Sequence, residues 1–157
     1  MRHAKSSWKQ LFRDHERALT DRGHSSAKTM GTWLKRSGHL PQEALISTAR
    51  RAIETFKGLG VATERVEFLP SLYHPSAQDL LSALQSATAP SVLLISHNPG
   101  ITEFAELLAR NVPSNHRFYD FPTCAAWVGA FDINVWKNLC FKTGSTLDFA
   151  IPREIAS

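Results

Sequence analysis

Apolar residues recur along this chain with two periods, and the alternation between them outlines a fold. After Thr20-Asp21, Ala27, Met30, Trp33 and Leu34 follow at three- and four-residue spacing until Gly38. That is an amphipathic helix with a capping pair ahead of it and a stop behind. Ala44-Leu45-Ile46-Ser47 predicts a short strand, and a second helix runs from about Thr48 to Gly58. Val66-Glu67-Phe68-Leu69 predicts a strand that stops at Pro70. A cap at Ser76 and the leucines 80, 81 and 84 predict a helix to Ala87. Val92 to Ser96 is unbroken and apolar, the pattern of a parallel strand buried on both faces. Asn98-Pro99 then opens a helix through Phe104, Leu107 and Leu108, with proline suited to its first position. Strands over Ala125–Phe131 and Leu147–Ile151 finish the chain.

Strand and helix in this alternation predict an α/β domain: three layers, with a mostly parallel central sheet between helices. Such a domain should open on a strand. Only Met1 precedes Arg2 and His3, so the first strand is expected to be short or missing. No repeat, low-complexity tract or linker divides the chain, and residues 1–157 read as one domain.

Composition narrows the class. With 43% hydrophobic and 20% charged residues, the chain is neither disordered, collagen-like nor a coiled coil. Its length allows a core that needs no disulfides. The longest aliphatic run, Val92–Ile95, is far short of the ~20 residues that span a bilayer, so no membrane partner is expected. No apolar stretch backs Met1–Lys5, so no secretory signal is expected. Cys124 and Cys140 are too few for a disulfide framework or a zinc site. A reducing cytoplasm is the expected setting.

The net charge of +4 is unevenly placed. Residues 1–58 hold twelve Lys/Arg against five Asp/Glu, whereas residues 59–157 hold six against nine. A basic region suits nucleic acid or any other anion. Trp8, Trp33, Trp127 and Trp136 are scattered, without the basic–aromatic interleaving that stacks bases. No nucleic acid is expected, and a phosphate site accounts better for the excess.

Ligands of open α/β sheets collect beyond the carboxyl ends of strands, where helix amino termini also point. Three such places carry cationic or potentially cationic groups: Arg2 and His3, Arg50 and Arg51 after Ser47, and His97 after Ser96. Orphan helix N–H groups aimed at the same rim suit a phosphate dianion. Two histidines with arginines around a phosphate suggest phosphoryl transfer. A neutral imidazole is a competent nucleophile, while guanidinium forks and a second imidazole hold the equatorial oxygens. No GxxxxGK[ST] loop or carboxylate cluster is present, so neither metal nor cofactor is expected. His15, His24, His39, His74 and His116 read as solvated side chains. Position alone leaves Arg50 and Arg51 undecided.

The motifs add a family. Arg2-His3-Ala4-Lys5-Ser6-Ser7-Trp8 resembles the Arg-His-Gly signature of the histidine phosphatase superfamily, in the form common among SixA-like phosphohistidine phosphatases. Four further stretches match in order. Residues 14–23 resemble a DxxRPLTxRG segment with Ala18 for proline, and residues 47–55 an SPxxRAxxT segment. Residues 96–100 resemble GHNPG with Ser96 for glycine, and residues 121–125 FPTGA with Cys124 for glycine. The resemblance spans residue 2 to about residue 153.

It implies a phosphoglycerate mutase-like fold, with His3 as the nucleophile that becomes phosphorylated. Arg2, Arg51 and His97 would bind the phosphoryl oxygens, the Arg-Ala-x-x-Thr pattern selecting Arg51 over Arg50. Ser6 and Arg17 would complete the phosphate site, and Asp14 would orient it. Larger members carry a carboxylic acid over the leaving oxygen, because an alkoxide needs a proton. Here Leu72–Leu81 offers Tyr73, His74 and Asp79 but no obvious lid. An imidazole leaves phosphorus more easily, so the expected substrate is phosphohistidine on a protein, with inorganic phosphate as product. A small phosphorylated substrate, handled by a phosphomonoesterase of the same superfamily, is one alternative. A non-catalytic phosphate- or RNA-binding module is the other. The role of Cys124 stays open.

Overall fold

Parallel strands β1 (Glu43–Ser47), β2 (Arg65–Leu69) and β3 (Val92–Ile95) form a sheet in the order β2-β1-β3 in the computed structural model, which describes residues 1–9, 11 and 13–156. Every residue of β1 is buried, as expected of a central strand covered on both faces. Even Glu43 is inside, where its carboxylate accepts hydrogen bonds from the Thr88 and Ala89 amides.

Alternate side chains along the sheet feed two cores. Ala44, Ile46 and Ile95 face Ala27, Met30 and Leu34 of α1 (Asp21–Arg36) and Ala52 and Leu59 of α2 (Arg50–Leu59). Leu45 and Leu94 face Leu80 and Leu84 of α3 (Ala77–Gln85) and Ile101, Phe104 and Leu108 of α4 (Gly100–Leu108). Two cores about one sheet make the three-layer α/β architecture that the pattern predicts. Strands β4 (Ala126–Ala130) and β5 (Ser145–Ala150) pair antiparallel as a separate two-stranded unit, before the short α5 (Pro152–Ile155).

Local chemistry sets the element ends. The Thr20 hydroxyl accepts the Gly23 amide to cap α1, and Ser76 and Asp79 form a reciprocal capping box on α3. Expected boundaries of α2 and α4 move. α2 begins at Arg50 instead of Thr48, because Ser47 Oγ accepts the Ala49 amide and holds residues 47–49 outside the helix. The helix ends at Leu59, one residue past the expected end, with Gly60 left-handed behind it. Pro99 is the capping residue of α4, not its first helical position. Gly100 opens that helix against the Pro75 carbonyl, where a side chain would collide.

The first strand is reduced to a rung. Arg2 bridges Ser96 in parallel, with Ser96 N–H donating to the Met1 carbonyl and His3 N–H to the Ser96 carbonyl. On its other side Arg2 N–H donates to Ala125, so residues 1–3 link β3 to the start of β4. Among the described residues, no helix is long and apolar enough to cross a membrane.

Candidate active site

His3 is fixed by its own backbone before its ring meets anything. Its N–H bonds the end of β3, and its carbonyl accepts the Cys124 amide at 3.0 Å. The ring Nδ1–H donates to the Ala4 carbonyl at 2.7 Å, which leaves the lone pair on Nε2. Burial pulls its pKa down to about 3, against the Ala4 bond and with help from the charges of Arg51, Arg2 and Arg17. The ring is therefore neutral at pH 7.

His97 follows β3, with its ring centroid 4.9 Å from that of His3. Its Nε2 lies 2.7 Å from Ser47 Oγ at the end of β1, while its Nδ1 is buried without a partner. Burial, then the neighbouring His3, Arg51 and His74, push its pKa to about 2. Arg2 donates through Nη1 to the Phe121 carbonyl at 3.1 Å, and its Nε is likewise buried and unpartnered. Two polar atoms shut away from water without a partner are costly, and both belong to groups that can donate to an anion.

Arg51 reaches in from the first turn of α2 and is 3% exposed. Its Nε donates to His3 Nε2 at 3.3 Å, and its Nη atoms bind the Asp14 carbonyl at 2.8 Å and carboxylate at 3.1 Å. Asp14 also accepts from Arg17 Nε at 3.0 Å and from the Tyr73 hydroxyl at 2.5 Å. Burial works to raise its pKa. The Tyr73 bond, the Arg51 charge and the guanidinium bonds outweigh that and hold the carboxyl below its usual range. Arg17 Nη1 continues to Ser6 Oγ at 2.8 Å, and its guanidinium lies over the Trp8 ring. Thr55, one turn along α2, donates to the Arg51 carbonyl and accepts the Ala4 amide, tying the His3 and Arg51 segments together.

His97, His3, Arg51, Asp14, Arg17 and Ser6 thus form one continuous cluster, and Arg2 lies beside it. Arg50 points away, paired with Glu54 at 2.7 Å and half exposed. Of the five histidines expected to be solvated, His24 and His116 are exposed, and His39 is partly buried, pairing with Asp148. The other two come to the rim: His74 stays exposed, as expected, whereas His15 is partly buried and corrects the expectation. His15 bonds Thr48 Oγ1 at 2.9 Å and meets the Tyr73 ring edge-on. His74 stacks on Tyr73 at 4.0 Å and stands 3.6 Å from the Asp14 carboxylate. Both reach the site through a loop contact, which periodicity does not register. Ser47 and Thr55 carried a weak signal, since each lies within the stretch that contains Arg51.

Two of the substituted positions, Ser96 and Cys124, have physical readings. Ser96 Oγ donates to the Leu72 carbonyl at 2.8 Å and anchors the loop that carries Tyr73 and His74. Cys124 sits at φ +66°, in the left-handed region that favours glycine. Its thiol is fully buried, with its pKa pushed up to about 12 by burial.

Known proteins are similar in sequence and fold. The family model described as histidine phosphatase superfamily (branch 1) matches residues 1–73, the part that contains Arg2, His3, Asp14, Arg17 and Arg51. The SixA structure from Nakamurella multipartitia superposes with a TM-score of 0.83 at 26% identity, covering 97% of this chain and 93% of that one. The protein histidine phosphatase SixA complexed with tungstate gives 0.79 at 26% identity, over 99% and 96%. An uncharacterized protein of Mycobacterium leprae is 29% identical over 162 residues, 98% of this chain and all of that one. A chloroplastic protein of Arabidopsis thaliana, also uncharacterized, is 33% identical over 124 residues, 69% of this chain and 57% of that one. Residues 1–73 thus match the histidine phosphatase superfamily model, and nearly the whole fold superposes on SixA structures.

Proposed function

We propose that this phosphatase acts on phosphohistidine carried by a protein and passes the phosphoryl group through His3, without a metal. One observation carries the reading: a neutral imidazole with its lone pair on Nε2 faces a second buried imidazole whose Nδ1 has no partner. A phosphoryl group between the rings would accept from His97 Nδ1 and Arg2 Nε, satisfying both. The tungstate complex of the SixA relative supports a tetrahedral oxyanion as the occupant.

In the first step His3 Nε2 attacks phosphorus in line, and the substrate P–N bond breaks with its electron pair returning to the leaving imidazole. Arg51 Nε, which donates to Nε2 in the free site, turns to a phosphoryl oxygen as that lone pair becomes a bond. Arg2, Arg51 and His97 hold the equatorial charge, and Ser6 and Arg17 extend the donor set. Water then attacks phosphorus, the P–N bond to His3 breaks, and inorganic phosphate leaves. Asp14 keeps Arg51 and Arg17 in place, a positioning role.

The state of Asp14 favours an imidazole over an alkoxide as leaving group. The carboxylate beside the reacting ring is held ionised by two guanidiniums and a phenol, so it has no proton to give. A phosphohistidine leaves as neutral imidazole when its far nitrogen already bears a proton. Rapid-quench trapping with labelled phosphohistidine protein tests the scheme. Label is expected on His3, and His3→Ala is expected to lose both label and turnover while remaining folded. Label on another residue, or parent turnover by His3→Ala, refutes it. Faster release of phosphate from sugar or nucleotide phosphates than from phosphohistidine protein refutes the substrate assignment alone.

A further inference from the structure

Of the four tryptophans, the fold leaves only Trp8 outside: it is 78% exposed, whereas Trp33, Trp127 and Trp136 are partly buried. Its ring is nonetheless held. Ser6 bridges Leu19 in antiparallel register and Ser7 N–H donates to the Ala18 carbonyl at 2.9 Å, so the chain reaches Trp8 already pinned beside Arg17. The Lys9 amide then turns back onto Ser7 Oγ at 3.1 Å. One face of the indole lies on the Arg17 guanidinium, whose carbon is 3.5 Å from the ring centroid. Arg17 is itself buried and bonds Ser6 and Asp14. A single guanidinium thus separates the ring from Ser6 and Asp14, and the outer face of the indole meets solvent.

An ordered aromatic ring open on one side is suited to being covered. The cation–π stack already fixes its side chain, so docking onto it costs little rotamer freedom. Tryptophan is also enriched among the residues that carry protein–protein binding energy. Leu11 stands exposed in the same segment, and exposed Lys9 and Arg13 pair with no carboxylate among the described residues. Residues 1–17 hold five Lys/Arg against two Asp/Glu. Asp14 is taken by Arg17 and Arg51, which leaves Glu16 as the only other acid in a net positive segment.

We infer that Trp8, Lys9, Leu11 and Arg13 form the docking surface for the protein that carries the phosphohistidine, and that this partner presents an apolar side chain with carboxylates around it. The surface presupposes the phosphohistidine substrate proposed above and adds the surroundings in which that residue is recognised. The apolar side chain covers the outer face of Trp8, and the carboxylates meet Lys9 and Arg13. Because only Arg17 lies between the ring and the site, these groups belong within about four residues of the phosphohistidine. A small phosphorylated compound fills the donor set without reaching the outer face of the ring.

Three phosphohistidine peptides probe the surface: one with a leucine and two glutamates around the phosphohistidine, one with lysines for the glutamates, and one with serine for the leucine. Phosphoramidate, which has the P–N bond and no polypeptide, is the control substrate. In the parent, KM for the first peptide is expected to be roughly tenfold below that for either other. Trp8→Ala is expected to erase the preference for leucine, and Lys9→Glu with Arg13→Glu the preference for glutamate, each raising KM for the first peptide roughly tenfold. For phosphoramidate, kcat/KM should stay within about fivefold, the loss of an exposed cation–π contact being the largest effect. Lys28→Glu with Lys35→Glu, the same charge change on the exposed side of α1, should leave both preferences in place. Equal KM for the three peptides in the parent, or preferences that survive in the variants, overturns the docking surface, while label on His3 leaves the chemistry standing. Where no peptide turns over, binding to His3→Ala decides. The first peptide is expected to change tryptophan fluorescence at a lower concentration than the others, and Trp8→Phe in that background to abolish the change. Equal binding of the three peptides overturns the surface by itself.

Discussion

Ser47→Ala tests how the site chooses the proton on His97. The Ser47 hydroxyl oxygen already accepts the Ala49 amide at 3.2 Å and lies 2.7 Å from His97 Nε2. With His97 neutral, an O–H···Nε2 bond puts the single ring proton on Nδ1, the buried atom that has no protein partner. Under the proposed function, Ser47 thereby makes His97 a phosphate donor. Removing the hydroxyl frees the tautomer and leaves Nε2 and the Ala49 amide unsatisfied. A hydrogen bond to a charged acceptor is worth about 1.5–3 kcal/mol, so the expected loss in kcat/KM is roughly ten- to hundredfold. The unsatisfied groups cost about 1–3 kcal/mol of stability, a Tm fall of roughly 2–4 °C per kcal/mol. Steady-state release of phosphate from a phosphohistidine protein, with thermal melts in parallel, measures both. Because Ser47 acts through His97, adding Ser47→Ala to His97→Ala should cost little further activity. Activity within twofold of the parent for Ser47→Ala, or fully additive losses in the double variant, would refute the tautomer argument.

His97→Ala alone should lower kcat by roughly 10²–10³, as expected for loss of a preorganised anion donor; a loss below tenfold counts against it. Stability should fall with acid below the ordinary histidine range. The unfolded chain takes up protons near pH 6.5, whereas folded His3 and His97 resist them down to about 3 and about 2. Each ring therefore costs up to about 1.4 kcal/mol of stability per pH unit as pH drops through that window, and nothing above it. Urea denaturation at pH 7 and pH 5 reads the difference, and equal stabilities would contradict the burial argument. For the thiols, exposed Cys140 should react with a thiol reagent in the native protein, while Cys124 should react only after unfolding. Two native-state equivalents would show that the segment around Cys124 opens readily.

How the groups of the candidate site meet was only partly written in the order of residues. The cap at Thr20, the Met30 and Leu34 stripe, the Ser76–Asp79 box and the apolar runs of β1 and β3 are short-range signals. Each declares an element through contacts within a few residues. The family motifs likewise marked His3, Arg51 and His97 before any geometry was known. Choosing Arg51 over Arg50 needed that pattern, since both open the same helix; burial against His3 and Asp14 supplies the physical reason.

Tertiary structure alone decided the rest. Tyr73 and His74 owe their positions to a loop that Ser96 pins through Leu72, 24 positions away in the chain, and His15 meets Tyr73 edge-on from the Asp14–Glu16 turn. Ser47 meets His97 across 50 positions, and no local periodicity encodes such a distance. The depressed pKa values follow the same rule, because desolvation depends on everything packed around a group. The pattern of residues declares which segments become strands and helices, since those contacts are local. Which polar atoms end up buried, partnered or waiting for an anion is settled only when distant segments close on one another.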